Sequence, residues 1–184
     1  KDSSKEKTHP EVSLDMYRAL KNKGVTIYNQ SFGSEALQES DSTTYVRQMG
    51  RAVIRFYEEE INNGSLFVWA AGNVSTDKQP TLEAGLPYFN SSLEKGWINV
   101  VALTAKTGSE SGNRDWNNLK ALSPAGVAKN WTVTVLGDQY YKLKTLYYVG
   151  SGSSYAAPIV TGTAALIKQK YPWMDGSLIR QTIL

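Results

Sequence analysis

Residues 150–167 read GSGSSYAAPIVTGTAALI, and this stretch decides how the rest of the chain is interpreted. Small residues on both sides of Ser154 leave its hydroxyl open to a ligand. An alanine-rich run follows, so we predict a helix that begins near Ser154 and ends at Lys170, before Pro172. Pro158 is expected in the first helical turn, where its missing N–H costs little.

A serine at a helix N-terminus has two interpretations. It is most often only an N-cap, which accepts a hydrogen bond from the first turn. The same unpaired N–H groups and the positive end of the helix dipole can also stabilise negative charge on an acyl carbonyl oxygen under attack. The local pattern alone leaves both interpretations open for Ser153 and Ser154.

The other patterns predict alternating helices and strands. Helices are expected over 11–23, from Asp41 or Ser42 to about Asn62, and after a cap at Asp175; strands are expected over 25–28, 66–71, 97–103, 131–136 and 144–149. Residues 106–130 are expected to form loops, and Gly137-Asp138 a turn. This order argues for an α/β fold with a mostly parallel sheet, in which ligands bind at the carboxyl ends of the strands.

Composition excludes several classes of function. The 184 residues contain no cysteine and one histidine, His9, so disulfides, thiolate metal sites and cysteine nucleophiles are ruled out. The net charge of +3 comes from lysines and arginines mixed with acids, without a nucleic-acid-binding stripe. No run approaches the roughly 18 apolar residues of a membrane helix. Residues 1–10 are polar and are expected to be a loop before a domain portion that covers 11–184.

Residues 152–162, GSSYAAPIVTG, resemble the nucleophile motif of the subtilisin-like serine proteases, G-T-S-x-A-A/S-P-x-V-x-G, with serine in place of threonine at Ser153. Two further segments match in family order. Residues 67–73, FVWAAGN, resemble the strand that ends in A-A-G-N, and residues 25–33 resemble the strand that ends in S-x-G. The sequences of residues 29–33 and 126–129 are most similar to the corresponding segments of bacterial autotransporter-type subtilases.

The resemblance implies a three-layer subtilisin-like fold, incomplete at its N-terminal side, and peptide-bond hydrolysis through an acyl-enzyme. Ser154 is then the nucleophile and Asn73 an oxyanion-hole donor. The substrate-binding residues implied are Ser31, Phe32, Gly33, Ala70, Ala71 and Gly72. Of these, Phe32, Ala70, Ala71 and Gly72 line the pocket, are apolar and small, and suggest an apolar or unbranched side chain next to the cleaved bond. Calcium is common in the family, but no acidic loop here is identified as a site, and no cofactor is expected.

The family's aspartate motif, D-S/T-G, and histidine motif, H-G-T/H-x-V-A, are both missing. His9 lies in a polar segment without a following glycine, and Asp2 and Asp15 do not fit the aspartate role. A serine hydroxyl without a base is a weak nucleophile. We therefore expect an active full-length protease and an inactive 184-residue chain, with sheet edges that could pair with another copy.

Three other interpretations are weaker. An α/β-hydrolase needs a histidine after its serine, and none follows residue 9. A nucleotide-binding domain would carry a G-x-G-x-x-G or P-loop motif, which is missing. A degenerate, protease-like domain that binds peptides or protein partners remains an alternative, with an extended peptide added beside 31–33. The resemblance suggests a secreted or surface protein that contacts membranes only through other regions.

Overall fold

The computed structural model describes residues 14–40, 49–107, 114–143 and 146–184. The described helices are α1 (Leu14–Asn22), α2 (Arg51–Asn62), α3 (Ser153–Lys170) and α4 (Gly176–Ile183). The described strands are β1 (Ile27–Gln30), β2 (Leu66–Ala70), β3 (Trp97–Thr107), β4 (Arg114–Ala121), β5 (Thr132–Leu136), β6 (Asp138–Leu143) and β7 (Leu146–Ser151). Short 3₁₀ helices cover Leu86–Tyr88, Ser91–Gly96 and Gly126–Trp131.

The main sheet is mostly parallel, as predicted. Strands β1, β2 and β3 lie side by side in parallel, with Tyr28 opposite Phe67 and Phe67 opposite Trp97. Strand β5 runs parallel to the first half of β3, and β4 runs antiparallel to its second half. Because β1 and β2 point the same way, the segments that follow them meet at one edge of the sheet.

Alternating side chains of the buried strands supply two separate cores. Phe67 and Trp69 of β2 face an aromatic cluster that includes Tyr17 of α1 and Tyr57 of α2. Val68 and its neighbours face the opposite side, where small residues of α3 such as Ala156 allow the helix to pack closely. A sheet with helices on both faces is the three-layer arrangement that the sequence predicted.

Two predictions about the second half of the chain are wrong. The interval 106–130 was expected to be loop, but it contains β4 and the 3₁₀ helix Gly126–Trp131. Strand β4 has no hydrophobic pattern from which it could be predicted, because residues 115–120 are all exposed. The expected turn at Gly137-Asp138 is also wrong, since β6 begins at Asp138 and forms an antiparallel hairpin with β7.

Several boundaries differ from the prediction for local reasons. The first strand begins at Ile27, two residues later than expected. The prediction of one continuous helix through Gly50 is wrong, because Gly50 has a φ of 77° and α2 begins at Arg51. Pro158 is the sixth residue of α3 and not in its first turn, because the helix already begins at Ser153. Its missing N–H therefore leaves the carbonyl of Ser154 without the usual helical donor.

The cap predicted at Asp175 is confirmed, because its side chain accepts a hydrogen bond from Leu178 N at 2.9 Å. Other predictions fall outside the described residues. These are the loop over 1–10 with Asp2 and His9, the first residues of the helix over 11–23, the helix start at Asp41 or Ser42, and positions 144–145 of the last predicted strand.

Candidate active site

A cavity of about 550 Å³ opens where β1 and β2 end and α3 begins. Its wall contains residues that three separate segments contribute. The predicted site residues among them are Phe32, Gly33, Ala70, Ala71, Gly72, Asn73 and Ser154. Ser31 does not line the cavity but contacts Ser154 through its carbonyl oxygen. The fold therefore brings the three segments singled out in the sequence to one place.

Ser154 is half-buried in the first turn of α3. Its hydroxyl donates a hydrogen bond to the carbonyl oxygen of Ser31, with an Oγ–O distance of 3.0 Å. Its backbone N–H belongs to the first helical turn, where N–H groups have no partner within the helix. The positive end of the helix dipole adds to the attraction of this position for negative charge.

Ser153 fixes the side chain of Asn73. Asn73 Oδ1 accepts hydrogen bonds from Ser153 N at 2.7 Å and from Ser153 Oγ at 3.1 Å. Ser153 Oγ in turn accepts from Gly72 N at 3.1 Å. Because Oδ1 is held by Ser153, the amide group Nδ2 of Asn73 is left to donate elsewhere, and it bonds to no described residue.

Gly72 has to be glycine at this bend. Its φ of 105° lies in the region that side chains rarely adopt, and a Cβ there would lie 3.2 Å from Cγ2 of Thr81. Thr81 also binds the neighbouring backbone, since its N–H donates to Ala71 O at 3.0 Å. Ser123 Oγ donates to the same carbonyl at 3.1 Å. These contacts hold the segment between β2 and Asn73 in place.

Ser153 stands in the nucleophile motif, where the local pattern left its role open, but its contact with Asn73 was not predicted. Two further residues, Thr81 and Ser123, carry no signal in the sequence. They lie in loops and reach the site through the fold, so no local pattern identifies them. Proximity to the A-A-G-N segment in three dimensions is the only sign of their role.

Among the described residues that line the cavity, the charged ones are Glu35 and Asp77. Outside the cavity, burial raises the pKa of Tyr17 to about 12 in the aromatic core. Within the described ranges, no group of three or more histidine, cysteine, aspartate or glutamate side chains could hold a metal ion.

This geometry suits acyl transfer at Ser154. Asn73 and Ser154 line the same cavity, so the amide of Asn73 and the backbone N–H of Ser154 are candidate donors to the oxygen of a carbonyl group bound there. A comparison with family models matches residues 2–184 to a model described as the subtilase family. The chain belongs to the subtilase family.

Curated subtilases include relatives of moderate identity. The autotransporter lipoprotein NalP of Neisseria meningitidis is 31% identical over 131 residues, which cover 67% of this chain and 12% of NalP. A thermostable alkaline protease of Halalkalibacterium halodurans is 31% identical over 162 residues, which cover 88% of this chain and 36% of that protease. The match to NalP confirms the predicted resemblance to autotransporter-type subtilases. The chain thus spans about a third or less of both relatives.

Solved subtilase structures share the fold. The prenylagaramide maturation protease PagA superimposes with a TM-score of 0.58 at 21% identity, over 91% of this chain and 55% of PagA. This similarity confirms the subtilisin-like fold predicted from the sequence. No described helix of this subtilase chain is long and apolar enough to cross a membrane.

Proposed function

We propose that this chain supplies the nucleophile and the oxyanion site of a serine endopeptidase, with Ser154 forming the acyl-enzyme. The observation that carries the proposal is the pair of hydrogen bonds from Ser153 to Asn73 Oδ1, at 2.7 and 3.1 Å. They orient an otherwise unused amide donor beside a serine at a helix N-terminus. A serine that served only as an N-cap would not need this second, fixed donor.

In the proposed reaction, Ser154 Oγ attacks the carbonyl carbon of a peptide bond and its proton passes to a general base. The carbonyl oxygen becomes an oxyanion and accepts hydrogen bonds from Ser154 N–H and Asn73 Nδ2. The base then returns the proton to the departing amine, which leaves an acyl group on Ser154. Water then attacks this ester in the same way. The base takes a proton from the water and returns it to Ser154 Oγ, which is the leaving group of this second step.

The base is the missing part of this machinery. The described residues contain no histidine, and the hydroxyl of Ser154 donates to the carbonyl of Ser31, which is not a base. We propose that the histidine and the aspartate come from polypeptide outside these 184 residues. The 184-residue chain on its own is then inactive, although the full-length protein hydrolyses peptides.

The strands that end at the cavity support a role for residues 31–33 in substrate binding. Strand β1 pairs with β2 on one side and with no other described strand. Phe32 is exposed and rests edge-on against Trp69 at a centroid distance of 5.5 Å, while Gly33 adds no side chain beyond it. An extended substrate could therefore add its backbone beside this segment.

Peptide hydrolysis by the full-length protein tests the proposal. We expect fluorogenic peptides to be cleaved by the full-length protein, but not by its Ser154→Ala variant and not by the 184-residue chain alone. Turnover by the isolated chain that is abolished by Ser154→Ala would contradict the proposed need for outside residues. Peptide binding by the full-length protein without any turnover would instead favour the second candidate, a degenerate domain that holds extended peptides at residues 31–33.

Two further proposals concern the setting of the protein. The similarity to NalP, which is named an autotransporter lipoprotein, supports a secreted or surface location. The side of β1 that pairs with no other described strand supports self-association of the isolated chain. Light scattering on the 184-residue chain tests the second proposal, and a monodisperse monomer would contradict it.

A further inference from the structure

Asp138 is a buried carboxylate close to the first turn of α3. It is the first residue of β6 and is only 6% exposed. In the hairpin of β6 and β7 it lies opposite Ser151, the last residue of β7. Ser154 stands three positions after Ser151 in the chain. A side chain that holds Ser151 therefore acts on the polypeptide that leads directly to the proposed nucleophile.

The carboxylate of Asp138 joins two strands through hydrogen bonds. Its Oδ1 accepts from Thr104 Oγ1 at 2.8 Å and from Ser151 Oγ. Its Oδ2 accepts from the backbone N–H of Ala105 at 2.9 Å. Thr104 and Ala105 belong to β3 of the main sheet, whereas Ser151 ends β7. Because hydrogen bonds to an ionised carboxylate are stronger than those between neutral groups, this contact ties the end of β7 to the sheet.

The backbone beside Asp138 makes the same connection. Gly137 N donates to Leu103 O of β3 at 2.7 Å, and Gly152 N donates to Gly137 O at 3.1 Å. A Cβ at position 137 would lie 2.6 Å from Cβ of Ala102 and 2.8 Å from Gly152 O, so these backbones are in direct contact. Gly152 is the N-cap of α3. Gly137 thus lies between β3 and the residue at which the helix begins.

The placement of Gly152 matters because the proposed oxyanion site begins there. A Cβ at Gly152 would lie 3.4 Å from Asn73 Oδ1. The next residue, Ser153, binds the same oxygen with its N–H and its hydroxyl. Hydrogen bonds weaken outside a narrow range of distance and angle, so a shift of residues 152–154 would release the Asn73 amide. Misplacing a reacting group by about 1 Å can lower the rate of an enzyme about a hundredfold.

The outer part of the hairpin offers a comparison. Tyr140 and Val149 lie opposite each other two residues farther along, and they are 57% and 37% exposed. The backbone bonds of an antiparallel pair hold such a hairpin together without a buried carboxylate. The burial of Asp138 and its bonds to β3 therefore favour a role in fixing the end of β7 over a role within the hairpin itself.

We infer that Asp138 is a positioning residue for Ser154, because its carboxylate holds the end of β7, and with it the first turn of α3, against β3. The inference rests on the proposed function and adds a residue outside the three segments that the sequence singled out. Asp138 does not line the cavity, so it acts through Ser151 and not on the substrate. In the proposed reaction it keeps Ser154 Oγ and the Asn73 amide at the spacing that the oxyanion requires.

Kinetics of the full-length protein test the inference. In Asp138→Ala we expect kcat for a fluorogenic peptide to fall about tenfold and KM to change less than about twofold, because the nucleophile is displaced while the substrate contacts remain. Asp138→Asn should recover most of this loss, since its amide can accept from Ala105 N–H and donate to a hydroxyl. An unchanged kcat in Asp138→Ala, or a rise in KM alone, would overturn the inference.

Asp175→Ala is the matched control for a loss of stability. Asp175 is the N-cap of α4 and accepts from Leu178 N at 2.9 Å, so its loss weakens a helix end that does not line the cavity. Denaturant unfolding measures the stability that each variant loses, and kcat is measured where every variant stays folded. We expect the kcat of Asp175→Ala to stay unchanged. A fall of kcat in both variants, in proportion to the stability lost, would overturn the inference.

A milder variant tests the route through Ser151. Ser151 is exposed, so Ser151→Ala removes one hydroxyl without opening the core. We expect it to lower kcat about fivefold, the effect of one lost hydrogen bond. Added to Asp138→Ala, it should lower kcat no further, because both changes break the same contact. Losses that multiply as if independent would overturn the proposed route.

Hydrogen exchange separates the inference from the proposed function. Failure of the unmodified full-length protein to cleave any peptide would contradict the proposed activity. The inference is then decided by amide exchange over residues 150–156, measured by mass spectrometry on full-length protein. Faster exchange of this segment in Asp138→Ala than in Asp175→Ala supports the inference, and equal exchange in the two variants overturns it.

Discussion

Ser153 and Asn73 are joined by two hydrogen bonds that end on one oxygen, Asn73 Oδ1, at 2.7 Å from Ser153 N and 3.1 Å from Ser153 Oγ. Ser153 is 1% exposed, whereas Asn73 is exposed, so the buried residue holds the exposed one in place. The two bonds fix which way the Asn73 amide points. Ser153 thus positions the proposed oxyanion donor, and the proposed nucleophile, Ser154, occupies the next position of α3.

Truncation of Ser153 should loosen Asn73 without removing it. Ser153→Ala deletes the bonds of Ser153 Oγ to Asn73 and to Gly72 N, but keeps the bond from Ser153 N. We expect kcat of the full-length protein to fall about fivefold with little change in KM, because a neutral hydrogen bond contributes roughly 1 kcal/mol. Ser153→Thr keeps the hydroxyl and should restore kcat. A change in KM without a fall in kcat would contradict a positioning role. Failure of Ser153→Thr to restore kcat would contradict it as well.

Loss of the Asn73 amide should be more severe. Asn73→Ala removes the proposed oxyanion donor, and we expect kcat to fall by about 10²–10³, the effect that removing such a donor has in a subtilisin. Binding of the ground state should change little, so KM should stay close to its original value. Asn117→Ala on the exposed strand β4 is the control and should leave kcat unchanged. A KM effect without a kcat effect would argue against the oxyanion role.

Gly72 and Gly162 should respond to alanine in opposite ways. Gly72→Ala forces a side chain into a φ of 105° and close to Thr81, so the free energy of unfolding should fall by about 1–3 kcal/mol. Gly162 lies within α3 with open space around its Cβ position, so Gly162→Ala should raise the free energy of unfolding by about 0.4–1 kcal/mol. Denaturant unfolding measures both changes. Equal effects at the two positions would show that backbone strain at Gly72 is unimportant.

The aromatic core should make the fold sensitive to strongly alkaline pH. Burial raises the pKa of Tyr17 from 10.0 to about 12. Because the folded state then holds its proton more tightly than the unfolded state, the stabilisation is complete below pH 10 and is lost as pH rises toward about 12. Unfolding midpoints measured across this window should fall less steeply for Tyr17→Phe. For Tyr88→Phe, which changes an exposed ring, the unfolding midpoint should fall as steeply with pH as it does for the unmodified protein.

Strong apolar runs made part of the fold predictable. Strand β2 and residues 97–102 of β3 are continuous buried stretches, and α3 begins in a distinctive run of small residues, so these parts were predicted close to where they lie. Strand β3 continues to Thr107, four residues beyond its predicted end, where its burial is no longer continuous. Strand β4 could not be recognised, because residues 115–120 are exposed and its pairing with β3 decides its conformation. Strand β6 was not predicted, because Gly137-Asp138 has the composition of a turn. In the structure Asp138 is the first residue of β6, which pairs with β7 in a hairpin.

The same contrast holds for the site. Ser154 and Asn73 stand in contiguous motifs, so each could be singled out before the structure was known. Thr81 and Ser123 contact the carbonyl of Ala71 from sequence distances of 10 and 52 residues. Asp77 joins the cavity only because the loop after β2 folds back. Side chains that meet through tertiary structure leave no local pattern.

Labelling with a fluorophosphonate tests most directly whether Ser154 is the nucleophile beside the Asn73 donor. The full-length protein is treated with the reagent, digested and mapped by mass spectrometry. We predict a single adduct on Ser154, absent from Ser154→Ala, slowed in Asn73→Ala and unaffected in Asn117→Ala. An adduct on a different residue, the same labelling of Ser154→Ala, or no adduct at all would contradict Ser154 as the nucleophile.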